Sequence, residues 1–376
     1  MIVILNFALI FCAVVYVFLV FYMRKGWRNI PYFKSTDSIS ETVSVLIAAR
    51  NEEDNIARTI ECILHQNFPR ERLELIIVDD HSTDTTADIV QSYSDKGVKL
   101  LQLSVGDKLN SYKKYAITKA IEMAAGNIIV TTDADCRMGE NWLQTIVQYF
   151  EAHDSYLVSS PVLYSEEKSH FEELQTLEFM YLIGLGAAGI GLRSPTTCNG
   201  ANLAYRKSVF FEMGGFTGID NLASGDDELF LHKVAEKYAD KIGFCKSKEA
   251  IVYTDAKPDL KSFISQRKRW ASKSTKYKNK KVVALGVSIW LFNLALLVSL
   301  LVFFIRMPEF NWLLLTAFAL KIIVEFFFMV PISSFMGRKE LLKYVPILSI
   351  VHSFYMVYIG IAGNTGKYDW KGRQVN

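Results

Sequence analysis

The chain has 376 residues, 51% of them hydrophobic, and a formal net charge of +3. That charge is too small to suggest a nucleic-acid partner. Five cysteines with no metal-type pairing or tight spacing suit a reducing compartment rather than a disulfide-built domain.

Residues 1–23 carry no charged side chain and reach the roughly 20 residues that a spanning helix needs. A basic leader and a small-residue cleavage site are missing, and Arg24, Lys25 and Arg28 come after the apolar run. The segment therefore reads as an uncleaved anchor with its N-terminus outside, and the domain over 24–281 is expected in the cytoplasm. "TVSVLIAARNEEDNIARTIECILHQNF" opens with a strand over 43–47. A helix comes next, with Ile56, Ile60, Ile63 and Leu64 on one face. "LELIIVDDHSTDTTADIVQSY" repeats the plan: a strand over 73–78, a polar turn, and Ser82 or Thr83 as a helix cap. "VKLLQL" predicts a third strand, "KKYAITKAIEMAAG" a helix closed by Gly126, and "NIIVTTDADC" a fourth strand. Strands alternating with helices over short connections predict a parallel α/β sheet covered on both faces. Such sheets bind ligands beyond the carboxyl ends of their strands.

Polar residues collect at those ends. Ala49, Arg50, Asn51 and Glu52 come after the first strand, Asp79, Asp80 and His81 after the second, Asp133 and Asp135 after the fourth. No G-x-G-x-x-G comes after the first strand and no G-x-x-x-x-G-K-[ST] occurs anywhere, which argues against a dinucleotide or P-loop site. Two carboxylates as close as Asp133 and Asp135 cannot both ionise cheaply without a cation nearby. Mg²⁺ or Mn²⁺ fits, since a hard cation is satisfied by few carboxylates plus phosphate oxygens of a substrate. An Asp-x-Asp pair is also a common surface turn; its place at the end of a buried strand favours the metal.

The stretch 177–192 is nearly long enough to span and is interrupted only by Glu178. A true span would put residues beyond 192 on the opposite side of the membrane from Asp133, so an interfacial helix over about 174–192 is expected. Gly184, Gly186, Gly189 and Gly191 would make it a poor straight helix. "SGDDELFL" places Asp226 and Asp227 at a helix start, where acidic residues are common. "QRKRW" supplies Gln266, Arg267, Arg269 and Trp270. Guanidinium groups suit diphosphate and a Trp face suits a sugar ring; a basic helix on a membrane surface reads equally from the same residues. "KSTKYKNKK" sets five lysines before the apolar run 282–305, again a cytoplasmic flank. Two more apolar stretches succeed it, one from Trp312 with Lys321 and Glu325 inside it, one over 344–363. About three helices thus fill 282–363, ahead of a polar tail, 364–376. The loop holding Arg338 and Lys339 is basic, as is the tail with Lys367, Lys371 and Arg373, so both ends of the last apolar segment look cytoplasmic. A bent, re-entrant or interfacial final segment would reconcile them.

Six pieces in order over 43–270 resemble the large family 2 glycosyltransferases of the GT-A fold: "VLIAARNEEDNI", "IIVDDHSTDTT", "IIVTTDADC", "CNGANLAYRKSVF", "SGDDELFL" and "QRKRW". The last resembles the Q-x-x-R-W signature of membrane-embedded members that make cellulose, chitin, hyaluronan and glycolipids. The resemblance implies a Rossmann-like mixed sheet, with membrane helices on either side. It also implies inverting transfer of a hexosyl or N-acetylhexosaminyl unit from a nucleotide-diphosphate sugar to an acceptor hydroxyl on a lipid, lipid-linked molecule or glycan. The setting would be the inner face of a bacterial plasma membrane. Glu52, Asp79 and Asp80 would hold the base and ribose, and Lys113 the base or diphosphate. Asp133 and Asp135 would hold metal and diphosphate, with Asp135 the direct ligand. Asp227 would be the base, and Asp226, Gln266, Arg267, Arg269 and Trp270 would face the acceptor or diphosphate. Two departures stand out: Ala49 replaces the usual Pro, and His81 the usual Gly. The alternatives are a processive polysaccharide synthase subunit, for which three C-terminal helices are few, and an inactive membrane receptor. Intact Asp133, Asp135, Asp227 and Arg269 argue against the receptor. A partner subunit is compatible with all three.

Overall fold

A computed structural model of the chain describes residues 2–35, 39–104, 111–220, 222, 224–273, 277, 279–306, 312–363, 368–370 and 373–375. After helix α1 (Ile2–Asn29), the fold alternates β1 (Val43–Ala49), α2 (Ile56–Leu64), β2 (Leu73–Asp79), α3 (Thr86–Gln91), β3 (Val98–Gln102), α4 (Tyr112–Met123) and β4 (Ile128–Asp133). It continues through β5 (Arg137–Met138), α5 (Trp142–His153), β6 (Leu157–Ser159), β7 (Val162–Tyr164), α6 (His170–Gly191), β8 (Leu203–Arg206), α7 (Lys207–Glu212), α8 (Glu228–Tyr238), β9 (Ile242–Phe244), β10 (Val252–Thr254) and α9 (Leu260–Ala271). Helices α10 (Lys280–Arg306), α11 (Trp312–Met336) and α12 (Val345–Ala362) come next, then a hairpin of β11 (Tyr368–Trp370) and β12 (Arg373–Val375).

The main sheet runs β3-β2-β1-β4-β8-β6-β9. Its first four strands are parallel, as the alternation predicts. Strand β8 runs antiparallel to both β4 and β6, so the sheet is mixed, and the purely parallel expectation holds only for its first half. Val45, Leu46, Ile47, Ile76, Ile77, Ile129 and Val130 are buried, the continuous apolar runs that a doubly covered sheet requires. Register aligns Ala49 with Asp79 and Ala48 with Asp133, so the polar strand ends emerge side by side at one edge.

Local details differ from the sequence expectation for identifiable reasons. The α3 cap position is Thr85, and the Asp84 carboxylate accepts from Thr86 N at 3.1 Å; Ser82 and Thr83 instead serve the neighbouring loop. Helix α4 stops at Met123. Gly126 lies beyond it at a close approach, where a Cβ would stand 2.4 Å from Ser44 N of β1. Helix α1 continues through Arg24, Lys25 and Arg28 to Asn29, longer than its apolar part.

Helix α6 is unbroken over 22 residues despite its glycines. The glycines are contact points: a Cβ on Gly191 would meet Gly26 O of α1 at 2.1 Å, and one on Gly184 would meet the Ile332 side chain of α11 at 2.3 Å. Tyr164 of β7, in a second sheet of order β5-β10-β7, stacks on Phe179, centroids 4.3 Å apart, so α6 is packed between that small sheet and the long apolar helices. Among the described residues five helices are long and apolar enough to cross a membrane: α1, α6, α10, α11 and the segment ending in α12.

Helix α12 differs from a simple crossing. Before it, Arg338 Nη1 donates to Glu167 Oε1 at 2.7 Å and Tyr344 OH to Glu173 Oε2 at 2.6 Å, both at the start of α6. After it, a Cβ on Gly363 would stand 2.6 Å from Ala271 Cβ at the end of α9. Both ends of α12 therefore touch the α/β domain. That agrees with the basic character of its two flanks, although Lys367 and Lys371 lie outside the described residues. Within the apolar helices Lys321 Nζ donates to Glu325 Oε1 at 2.7 Å and to Ser349 O at 3.0 Å, and the Tyr16 and Ser349 hydroxyls donate to the same carboxylate. An intramembrane charge is expensive unless satisfied by protein, and this one ties α1, α11 and α12 together.

Candidate functional site

The loops after β1 and β2 are laced together. Arg50 Nη1 donates to the carbonyls of Asp80 and His81, each at 2.8 Å. Asn51 Oδ1 accepts from Thr83 N at 2.8 Å, and Glu53 Oε2 from Thr85 N at 3.0 Å. His81 has φ +56°, which explains why glycine suits this position, and Asp80 Oδ1 accepts from its ring Nδ1, 2.9 Å away. Asp79 and Asp80 are buried at the floor of this edge, with Asp79 Oδ1 accepting from Ser82 N at 3.3 Å. Glu52 Oε2 accepts from Asn55 Nδ2 at 3.2 Å at the start of α2.

Beside this edge two acidic pairs converge. Lys113 Nζ of α4 sits 2.9 Å from Asp133 Oδ1 and 3.3 Å from Asp226 Oδ2, so one cation bridges the pair after β4 and the pair before α8. The Asp133 carboxyl is pushed up by burial but brought below its usual value by Lys113 and Arg269. Asp135 behaves oppositely: burial and the neighbouring Asp133 and Glu52 carboxylates raise it to about 6, opposed by Lys257. Its side chain receives a contact from Cys136 Sγ at 3.9 Å. A cation beside a carboxyl raised by burial and like charges would favour its ionised form. Asp133 and Asp135 are hard oxygen ligands suited to Mg²⁺ or Mn²⁺. Among the described residues no group of three His, Cys, Asp or Glu side chains could hold a metal, so a cation here would take further ligands from elsewhere, as substrate oxygens would provide.

Asp227 is the cap residue of α8. Its Oδ1 accepts from Glu228 N at 2.6 Å and its Oδ2 from Gly200 N at 3.0 Å. A Cβ at Gly200 would stand 3.3 Å from Asp227 Cβ, so glycine lets this backbone approach. Lys273 Nζ lies 3.4 Å from Asp227 Oδ1 and 2.7 Å from Glu228 Oε2. Burial raises the Asp227 carboxyl, but Lys273, the two N–H donors and Lys113 outweigh it and hold it at about 2. Lys114 Nζ donates to the Leu222 and Ser224 carbonyls, fixing the approach to Asp226; burial lowers it to about 8.

Lys273, Lys114 and Gly200 are site neighbours that sequence reasoning misses. Lys273 stands in a lysine run that reads as a membrane flank, and the structure turns it inward. Lys276 and Lys278 of the same run lie outside the described residues. Gly200 belongs to "CNGANLAYRKSVF", where nothing in the residue type marks it as a backbone donor to a carboxylate.

The "QRKRW" residues divide. Arg269 is the one whose charge reaches Asp133. Arg267 is buried, its Nε 3.2 Å from both Glu178 oxygens and its Nη2 paired to Oε2, with the Gln266 side chain on Nη1. Trp270 covers it, 4.3 Å from guanidinium carbon to ring centroid, and tilts against Phe179. The resemblance puts Arg267 at the acceptor or diphosphate; in the structure its guanidinium is paired with Glu178, an interruption in an apolar stretch of sequence. Removing one partner of a buried pair costs about 3–5 kcal/mol, whereas replacing both with apolar residues is often neutral. Arg267→Met is therefore expected to lower the unfolding temperature, and Glu178→Leu/Arg267→Met to recover most of the loss, by thermal unfolding in detergent. A raised donor KM in a fully stable double variant would return Arg267 to the diphosphate.

A mixed sheet with carboxylates gathered at the ends of β1, β2 and β4 and a second acidic pair opposite is the architecture of a glycosyltransferase domain of GT-A type. Residues 44–214 match the family model for glycosyl transferase family 2. Relatives include a probable glycosyltransferase of Bacillus subtilis, YdaM, 28% identical over 65% of this chain and 58% of its own length. A glucosyl-dolichyl phosphate glucuronosyltransferase of Haloferax volcanii is 25% identical over 46% and 55%. A poly-beta-1,6-N-acetyl-D-glucosamine synthase of Staphylococcus epidermidis is 24% identical over 52% and 46%. The chain thus spans less than two thirds of the length of these relatives. Among solved structures, a mannosyltransferase from Pyrobaculum calidifontis in complex with GDP-Man and Mn²⁺ shares the fold at TM-score 0.58 and 17% identity, over 94% of this chain and 97% of that one.

Proposed function

We propose that the protein transfers a sugar, with inversion, from a nucleotide-diphosphate donor to a hydroxyl of a lipid or lipid-linked acceptor at the inner membrane face. The observation that carries this is the bridge of Asp133 and Asp226 by Lys113, which brings a donor-side and an acceptor-side acidic pair within one cation's reach. Glu52, Asp79 and Asp80 line the edge for base and ribose. Asp133 and Asp135 would hold Mg²⁺ or Mn²⁺, which when bound offsets charge on the diphosphate. Lys113 and Arg269 add positive charge beside the same phosphates. On the other side, the acceptor oxygen attacks the anomeric carbon, the bond to the diphosphate breaks, and Asp227 takes the hydroxyl proton. Support for a lipid-linked acceptor comes from the apolar helices packed on the domain and from the dolichyl phosphate relative. The match to a polysaccharide synthase supports the second reading, chain elongation.

Membranes incubated with a panel of radiolabelled nucleotide sugars discriminate the two. Label in the chloroform-soluble fraction is expected; label in insoluble polymer supports elongation, and label in neither removes both readings. The cytoplasmic placement has its own test. Lys339 is exposed beside Arg338, whose partner Glu167 belongs to the α/β domain. Lys339→Cys in a background without other cysteines is expected to resist a membrane-impermeant thiol reagent in intact cells and to react after permeabilisation. Labelling in intact cells would put the domain outside.

A further inference from the structure

Helices α6, α9 and α12 line a half-open apolar cavity of about 350 Å³. Its walls come from Phe171 and Leu174 of α6, Phe263 and Ile264 of α9, and Leu348 and Val351 of α12. On its outer side the apolar surface continues: Leu260, Ile347, Ile350, Val351, Phe354 and Tyr358 are all exposed. Exposed apolar side chains in such a contiguous array mark a surface that meets something other than water. Both ends of α12 touch the α/β domain, so this surface lies where the domain meets the apolar helices.

The cavity also backs onto the aspartate site. Gln175, one of its lining residues, receives Lys257 N at 3.1 Å and donates to Lys257 O at 2.8 Å. Lys257 is the cation that opposes the upward push on Asp135. Glu178, another lining residue, is neutralised by Arg267. Next to the lining residues Leu260 and Tyr358, Lys261 is exposed on α9 and Lys268 stands 5.5 Å from the Tyr358 ring of α12. Asp259 nearby is occupied as the α9 cap, accepting from Ser262 N at 2.9 Å. An apolar slot with lysines and a tyrosine at its mouth matches a molecule with a hydrocarbon chain and an anionic group where the chain ends.

We propose that this cavity holds the hydrocarbon chain of a phosphate-bearing lipid-linked acceptor, with the phosphate among Lys257, Lys261 and Lys268. The inference rests on the proposed glycosyl transfer and adds to it where the acceptor's chain lies. One helix, α9, then serves both substrates, presenting Phe263 and Ile264 to the chain and Arg269 towards Asp133.

The test uses the full-length protein in phosphatidylcholine nanodiscs with two photoreactive probes, a diazirine-bearing polyprenyl phosphate and a diazirine-bearing diacylglycerol. Labelled peptides from α9 and α12 with the phosphate probe are expected, together with weak labelling by the neutral one. Val351→Trp fills the cavity from an exposed position, so it is expected to fold. It should reduce labelling by the phosphate probe about tenfold, within the range that crowding a hydrophobic pocket produces. Lys261→Gln/Lys268→Gln should reduce it severalfold while leaving binding of the nucleotide sugar unchanged. Labelling confined to α1 or α10, equal labelling by diacylglycerol, or undiminished labelling of Val351→Trp would each overturn the proposal. Absence of sugar transfer from every nucleotide sugar, with α9 and α12 labelled as expected, would instead overturn the transfer reading and leave the lipid site standing.

Discussion

Asp227→Asn is expected to lower transfer by about 10²–10⁴-fold, the usual contribution of a positioned base, while donor affinity stays near that of the unaltered protein. The substitution is well suited to the geometry. Asn caps helices as well as Asp does, so its single carbonyl oxygen keeps the bond from Glu228 N that starts α8, while its NH2 group replaces the oxygen that accepts from Gly200 N. What disappears is basicity and one negative charge beside Lys273, which keeps Glu228 as its 2.7 Å partner. Circular dichroism and nucleotide-sugar calorimetry check the fold and the donor site, and initial rates check the base. Equal loss of donor affinity would place Asp227 in the donor site. The carboxyl is held at about 2 by its cation and N–H donors, so it stays ionised across the working range. The acid limb of the rate profile should therefore come from another group. A base this acidic draws protons weakly: Lys273 lies 3.4 Å from Asp227 Oδ1, and N–H groups of Glu228 and Gly200 donate to its two oxygens.

Much of the site can be read from the chain because strand ends are local. An apolar run of β-branched residues with Asp-x-Asp at its end says both where the strand stops and which edge its carboxylates reach, and Asp79, Asp80, Asp133 and Asp135 emerge there. The reversal at β8 cannot be read, since a four-residue buried strand carries no mark of direction. Arg267 and Lys273 escape the sequence for a related reason. An arginine's chemistry suits diphosphate anywhere, but what it does depends on burial and on a partner, Glu178, 89 positions away. Lys273 looks like one of a run until a residue 46 positions earlier claims it. Composition also assigns α12 a length and an apolar character but no direction; only its contacts with Glu173 and Ala271 show that it returns to the domain.

Asp135→Ala is expected to abolish metal-dependent transfer, and chelation by EDTA to do the same to the unaltered protein. The two aspartates of this pair are not equivalent. Asp133 already has Lys113 at 2.9 Å, whereas Asp135 faces like charge from Asp133 and Glu52. A divalent cation is the ligand that relieves that repulsion, so Asp135 gains more from it and loses more without it. Proton and metal then compete for the same oxygen. Because the Asp135 carboxyl is raised to about 6, it is ionised and available above that pH and protonated below it. Mn²⁺ affinity, measured by electron paramagnetic resonance of the free ion, should be steady at neutral pH and weaken about tenfold per pH unit below 6, as expected for one displaced proton. Asp135→Ala should remove both the affinity and its pH dependence. Asp133→Ala should leave a measurable pH dependence, with its midpoint moved downward because one of the two carboxylates repelling Asp135 is gone. Full activity in EDTA, or Mn²⁺ affinity in Asp135→Ala equal to that of the unaltered protein, would refute the assignment of this strand end to a metal.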